Sequence, residues 1–277
     1  MPPHPAITRR RFLASASAAA MLATLWPRKA CSASTADRGY PKVDLHVHLS
    51  EETTLEKLAR SSREKACRYG IVEHPGPRYS QMSDDRSLNA YLDQLSRYDF
   101  YKGIQPVDPG WRKQFSKQAL ARLDYVLMDA MEIPDGKGGY TIIWDDNFRV
   151  EDANAFMARY LAFYVRVLEE ERPNILASPT FLPKCLRDRY DELWTDERME
   201  TVIKAAVRNE VALEINSMYR IPSQRVVERA KQMGARFSFG TNGRTAKTVG
   251  ALDYSFELAS RCNLSVKDLC VPTRREQ

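Results

Sequence analysis

Histidine occurs four times in the 277-residue chain, at positions 4, 46, 48 and 74, and two of the four share one short stretch, Lys42-Val43-Asp44-Leu45-His46-Val47-His48-Leu49. A strand alternates its side chains, so Val43, Leu45, Val47 and Leu49 fall on one face and Asp44, His46 and His48 on the other. Two imidazoles two residues apart on a stiff strand aim at one point. That is a geometry for a divalent metal, whose ligands in a hydrolase barrel project from strand ends. With one nearby carboxylate the pair makes a two-His, one-carboxylate site that leaves a position for water. A metal there lowers the pKa of that water toward neutrality and polarises an ester or amide oxygen. Asp44 then orients a ligand, and Glu73 acts as base. A strand carrying two internally satisfied histidines is the plain alternative.

The elements that must position these residues alternate in type. β-like runs at 42–49, 70–74, 101–107, 124–131, 174–178, 211–216 and 235–240 are separated by helix-like runs at 53–69, 84–98, 115–123, 151–171, 196–209, 223–233 and about 251–262. Seven βα units argue for parallel strands and a single distorted (βα)7 TIM-like barrel of class α/β. A doubly wound open sheet competes, but no GxGxxG or GxxxxGK[ST] loop follows any strand. The stretch 134–150, with Asp135-Gly136-Lys137-Gly138-Gly139, reads as a long loop over the barrel mouth. In a parallel barrel the carboxyl ends of the strands converge. They carry His46, His48, Glu73, His74, Gln105, Asp129, Glu132, Ser178, Glu214, Asn216 and Asn242, which include every histidine after position 4.

Residues 1–34 read as an address rather than as fold. Thr8-Arg9-Arg10-Arg11-Phe12-Leu13, an Ala/Ser-rich apolar run to Trp26 and a small-residue exit make a twin-arginine secretory signal, leaving 35–277 as the barrel. Export to the periplasm or beyond follows, with no membrane insertion after cleavage. An uncleaved anchor is the alternative, and Cys31, with Arg28 three places earlier, does not suit a lipid anchor. The signal holds five basic and no acidic residues, so its removal takes the formal charge from +6 to +1. A nucleic-acid partner therefore gains no support, and a small-molecule substrate, anionic in character, is expected. Cys67, Cys185, Cys262 and Cys270 show no CxxC spacing. Cys262 with Cys270 is a conceivable disulfide, and buried free thiols are equally compatible.

The ordered motifs resemble the polymerase-and-histidinol-phosphatase (PHP) family of metal-dependent phosphoesterases. Asp44-Leu45-His46-Val47-His48 is similar to its opening motif, Glu73-His74 to its Thr-Asp-His, and Glu214-Ile215-Asn216 to its Glu-Ile-Asn. Gly240-Thr241-Asn242-Gly243-Arg244 stands where the family has Gly-Ser-Asp-x-His. The resemblance runs from about Lys42 to Leu264 and implies a PHP-type barrel with up to three divalent metals. With it the expected metal ligands are His46, His48, His74 and Asp129 and the catalytic residues Glu73 and Asp44, while the strand-end residues Gln105, Glu214, Asn216, Asn242 and Arg244, with Lys102, are the expected substrate contacts. The departures are specific. Gln105 replaces a bridging Glu, Ser178 a His, and Asn242 and Arg244 an Asp and a His. A cluster of dipositive ions needs anionic ligands, so one zinc, manganese or iron ion is expected at most. The leading expectation is an exported metal-dependent hydrolase of the phosphoesterase type. The alternatives are a metal-free, catalytically silent barrel that binds an anionic small molecule, and an amidohydrolase-like enzyme acting on C–N bonds.

Overall fold

The computed structural model describes residues 39–76 and 82–274, so the expected twin-arginine signal at 1–34 lies outside the described residues. The element order is β1 (Val43–Val47), α1 (Leu55–Lys65), β2 (Arg68–Ile71), α2 (Asp85–Leu95), β3 (Tyr101–Ile104), α3 (Lys117–Leu120) and β4 (Tyr125–Met128). It continues with β5 (Glu132–Pro134), β6 (Tyr140–Ile142), α4 (Ala153–Arg166), β7 (Ile175–Leu176), α5 (Tyr190–Leu193), α6 (Asp196–Arg208), β8 (Ala212–Asn216), α7 (Gln224–Gln232), β9 (Phe237–Gly240) and α8 (Asp253–Arg261). Side chains of Thr54, Asp84, Ser116, Asp152 and Thr195 accept backbone N–H groups at the starts of α1, α2, α3, α4 and α6. These caps satisfy amides that have no partner within their helix. No helix among the described residues is long and apolar enough to cross a membrane.

Seven strands pair in the order β1-β2-β3-β4-β7-β8-β9, every neighbour parallel. The ring nearly closes just beyond the end of β9. There His48 N donates to Gly243 O at 2.9 Å and Gly243 N donates to His46 O at 3.0 Å. The result is an α/β, TIM-like barrel. Its interior is filled by residues such as Val43, Leu45, Tyr125, Leu127, Ile175 and Ala212, while a larger apolar layer joins the strands to the helices outside. Tyr125 lies across the inside of the barrel because β3 makes room for it. A Cβ on Gly103 would lie 2.6 Å from Cε1 of that ring. The phenol donates to Leu45 O at 2.8 Å, which ties β4 to β1.

Two sequence expectations need correction here. The stretch 134–150 is not an unstructured loop, since its first half closes an antiparallel hairpin of β5 and β6. Asp135 Oδ1 accepts the N–H groups of Lys137 and Gly139, and Gly136 and Gly138 take positive φ of 76° and 89°. These two glycines therefore serve the turn of the hairpin. Second, β1 does not keep period two. Val43 pairs with Arg68 and Asp44 with Tyr69, but Val47 pairs with Ile71, so β1 carries one extra residue between Asp44 and Val47. This bulge reverses the faces. Val43 and Leu45 join the barrel interior, whereas Val47 and Leu49 pack with the outer layer.

None of the four described cysteines is bonded to another. Cys67 and Cys262 are buried, Cys270 is partly covered and Cys185 is exposed.

Candidate functional site

The bulge sets the floor of the mouth. It turns His46 and His48 inward and leaves Asp44 on another face. Opposite His46, on β8, stands Glu214, and between them β9 presents Gly240, where any Cβ would collide with the Glu214 carboxylate and sit 2.8 Å from His46 Cβ. His46 Nδ1–H donates to Glu214 Oε1 at 2.7 Å, and both side chains are buried. The other oxygen, Glu214 Oε2, accepts from Ser178 N at 2.6 Å and from Asn216 Nδ2 at 3.0 Å. Burial opposes charge on His46, but the carboxylate of Glu214, helped by Asp44 and Asp129, outweighs it and raises the imidazole above its ordinary value. Burial likewise pushes Glu214 up, and the His46 charge with these hydrogen bonds brings it below its ordinary value.

The second ring nitrogen of His46 is also engaged. Its Nε2–H donates to Gln105 Oε1 at 3.1 Å, and Gln105 Nε2 donates to Asp129 Oδ2 at 2.8 Å. Asp129 Oδ1 accepts from Met131 N at 2.8 Å. The amide orientation of Gln105 is set by these two neighbours: a protonated His46 offers a donor, and an ionised Asp129 offers an acceptor. Burial pushes the Asp129 carboxyl up to about 6. Glu214, His46, Gln105 and Asp129 thus form one continuous chain across four strands.

His48 is different. It is buried, yet neither Nδ1 nor Nε2 meets hydrogen-bond geometry with a partner among the described residues. Its ring centroid lies 5.2 Å from that of His46 and 5.2 Å from that of His74, the second pair stacked at 29°. His74 Nδ1–H donates to Gln105 O at 2.9 Å. Burial, then the positive charges of His46, Arg244 and His74, drives His48 well below its ordinary value, and the nearby Asn242 side chain opposes this only weakly. Burial takes His74 down to about 4. Both are neutral imidazoles near pH 7. At the rim, the exposed Arg244 side chain lies in the electrostatic field of Glu73 and Tyr219. Burial raises the Glu73 carboxyl, although Glu73 Oε1 accepts from Leu49 N at 2.8 Å. Asn242, at a left-handed φ of 48°, donates from Nδ2 to Tyr219 Oη at 3.4 Å.

Of the residues expected at the site, the structure brings together His46, His48, Glu73, His74, Gln105, Asp129, Glu214, Asn216, Asn242 and Arg244. Two stand apart. Asp44 accepts from Thr241 Oγ1 at 2.5 Å, Gly250 N at 2.9 Å, Thr241 N at 3.0 Å and His46 N at 3.2 Å, which makes it a clamp between β1 and the segment after β9. Lys102 alternates with Gly103 and Gln105, so it lies on the outward face of β3, where its backbone N–H donates to Asp124 Oδ2 at 2.8 Å. Sequence reasoning missed Tyr219, Thr241 and the Ser178 N–H. Only Thr241 carried a signal, as the hydroxyl in the Gly-Thr-Asn step closing a strand.

A metal bound by His46 and His48 does not fit these donors. His46 uses both ring nitrogens, Glu214 is held by three donors, and the neighbouring Gln105 brings an uncharged amide rather than a carboxylate. Among the described residues no three His, Cys, Asp or Glu side chains gather as a metal-holding set.

Neither a protein-family model nor a curated protein matches the chain. Among solved structures it is similar to phospho-2-dehydro-3-deoxyheptonate aldolase (DAHP synthase) from Thermotoga maritima, at 9% identity and a TM-score of 0.38. The match covers 79% of this chain and 57% of that one, so this chain spans little more than half the length of that structure. Likeness at this level bears on neither family nor activity.

Proposed function

We propose that this barrel recognises an oxyanion, the phosphate or carboxylate group of a small molecule, at its C-terminal mouth. One observation carries the reading: His48 is fully buried, with neither ring nitrogen in hydrogen-bond geometry with a partner among the described residues, in the field of Arg244. Leaving a buried polar group unmet costs about 1–3 kcal/mol, a cost that a ligand, a bound ion or an ordered water at the group removes. A neutral imidazole offers one N–H and one lone pair, so it can donate to an oxyanion and exchange a proton with a hydroxyl or ester oxygen. Arg244 supplies a fixed charge with forked donors suited to phosphate and carboxylate. His46 offsets the charge of Glu214 beneath the site, and Arg244 provides the fixed positive charge at its rim. The Arg9-Arg10-Arg11 run supports export, and with it recognition outside the cytoplasm.

A second reading, the metal-dependent phosphoesterase of PHP type, is favoured by one feature. His48 and His74 are adjacent imidazoles held neutral, the protonation state in which imidazole ligates a divalent ion. Elemental analysis and calorimetry on the purified protein separate the two. Inorganic phosphate or acetate should bind to protein stripped of metal, at least tenfold more weakly in Arg244→Gln and His48→Leu variants. Failure of both anions to bind, together with one zinc, manganese or iron ion per chain that leaves on His48→Leu, would reject the oxyanion site in favour of the metal enzyme.

A further inference from the structure

Beside the mouth lies a cavity of about 280 Å³ whose walls include Phe181, Leu182, Arg187, Tyr190, Met218 and Tyr219. Its residues come from the chain following β7 and the chain following β8, so it opens at the same carboxyl end of the strands as the oxyanion site. Tyr219 belongs to both. Its ring meets Phe181 edge-on, with centroids 5.0 Å apart and planes at 69°, while its hydroxyl receives the Asn242 amide at 3.4 Å. The same hydroxyl lies in the field of both Arg244 and Arg187.

The pocket is preformed. Asn216 Oδ1 accepts the Tyr219 N–H at 3.0 Å, and Asn216 and Ile221 exchange backbone hydrogen bonds at 2.7 and 3.3 Å, which fixes the turn that carries Tyr219. On the opposite wall Thr180 Oγ1 and Tyr190 Oη are 2.5 Å apart. Phe181 and Leu182 are each 3% exposed, whereas Met218 at the edge is 53% exposed and is one of the few large apolar side chains open to solvent among the described residues. A thioether of that kind adapts to whatever apolar shape it covers. Arg187 is already stacked over the Phe181 ring, its Cζ 5.5 Å from the centroid. Its charge therefore strengthens an aromatic wall.

We infer that the ligand is an aryl oxyanion, its phosphate or carboxylate held at Arg244 and His48 and a single aromatic ring inserted between Phe181, Met218 and Tyr219. The inference rests on the oxyanion reading above and adds the chemical class of the group attached to the anion. The cavity is slightly smaller than sites that enclose a whole small molecule, about 300–1,000 Å³, which suits one ring of a larger ligand rather than an extended chain. Aromatic walls set edge to face accept another ring in the same geometry.

Calorimetric titration of the purified protein with methyl phosphate and phenyl phosphate, and in parallel acetate and benzoate, tests it. Burying one ring predicts that the aryl compound of each pair binds about 10- to 100-fold more tightly. The better-bound pair identifies the anion as phosphate or carboxylate. Phe181→Ala should narrow the aryl preference to about threefold. Met218→Ser, a surface change that leaves the core untouched, should reduce the preference by at least half. Equal affinity for methyl and phenyl phosphate, and for acetate and benzoate, overturns the aryl pocket while leaving the oxyanion site standing. Tighter binding of propane-1,3-diyl bisphosphate than of phenyl phosphate overturns it by making Arg187 the seat of a second oxyanion. Binding of none of these anions overturns the oxyanion reading and the aryl pocket together.

Discussion

The Nδ1 of His46 lies 2.7 Å from Oε1 of Glu214, joining β1 to β8 across the base of the mouth with both side chains buried. Glycine at position 240 permits the approach, and the bulge in β1 directs the imidazole toward it. An ion pair removed from water gains little over apolar packing, but it fixes the relative placement of two strands and governs the protons around it.

Breaking this pair from one side should be severe. Glu214→Gln and His46→Ala are each expected to cost about 3–5 kcal/mol, because each strands an uncompensated group in the interior. The double variant should cost clearly less than the two singles added together. Urea unfolding of the four proteins measures this. Single losses below about 1 kcal/mol would mean that no buried ion pair exists here.

Asp129→Asn should change the charge of a residue it does not touch. The substituted side chain would keep its carbonyl on the Met131 N–H and turn its amide N–H toward Gln105. Gln105 would then have to rotate, offering its own N–H to His46 Nε2 in place of an oxygen. That arrangement requires a lone pair on Nε2, so His46 becomes neutral with its single proton on Nδ1, facing Glu214. Side-chain nitrogen NMR at pH 7 should show an imidazolium in the parent protein and the neutral tautomer in the variant. An identical His46 signal in both would contradict the relay through Gln105.

The number and order of the seven barrel strands were legible because each is a short apolar run between helix-like segments, although β2 begins at Arg68, inside the stretch expected as helix. The observed Tyr101–Ile104, Tyr125–Met128, Ala212–Asn216 and Phe237–Gly240 all lie inside the expected stretches. That His46, His48, Gln105, Glu214 and Asn242 meet at the barrel mouth was legible because strand ends converge in a parallel barrel. The role of Asp44 was not. Period two places it beside His46, and a bulge, which leaves no local mark in Asp44-Leu45-His46, moves it to a clamp on Thr241 and Gly250, 197 and 206 residues away. The loss of free nitrogens on His46 was equally hidden, since it depends on which way one glutamine amide points. Tyr219 escaped notice because its part in the site comes from a turn pinned by Asn216, a tertiary contact rather than a pattern.

That clamp predicts a pH dependence. Burial pushes the Asp44 carboxyl up to about 6 against its four hydrogen bonds, from an ordinary value near 3.8. The native state therefore binds a proton more tightly than the unfolded chain does. Below pH 4 both states are protonated at this group. Between pH 4 and 6 the native state holds more protons, so this contribution to stability falls as pH rises, by roughly 3 kcal/mol, and is level above 6. Asp44→Asn should lower stability throughout, because an amide cannot accept the N–H groups of Thr241, Gly250 and His46 together, and it should also remove this fall. Unfolding free energies of both proteins from pH 3.5 to 7 give the comparison. A constant difference across that range would show that Asp44 titrates normally.

His48 separates folding from function most sharply. If its unpartnered nitrogens await a ligand, the folded protein carries their desolvation cost in the ligand-free state. His48→Leu keeps the apolar volume and removes the unmet groups, so it should raise stability by about 1–3 kcal/mol while abolishing measurable phosphate and carboxylate binding. A purely structural histidine predicts the reverse, a loss of stability with no change in anion affinity. Addition of the preferred anion should stabilise the parent protein in proportion to the logarithm of its concentration and leave the variant unmoved. Thermal unfolding of both proteins with and without anion at about 50-fold its dissociation constant should show a gain of about 2 kcal/mol in the parent alone. A variant that is destabilised yet still responds to the anion would return His48 to the core and leave Arg244 as the site's anchor.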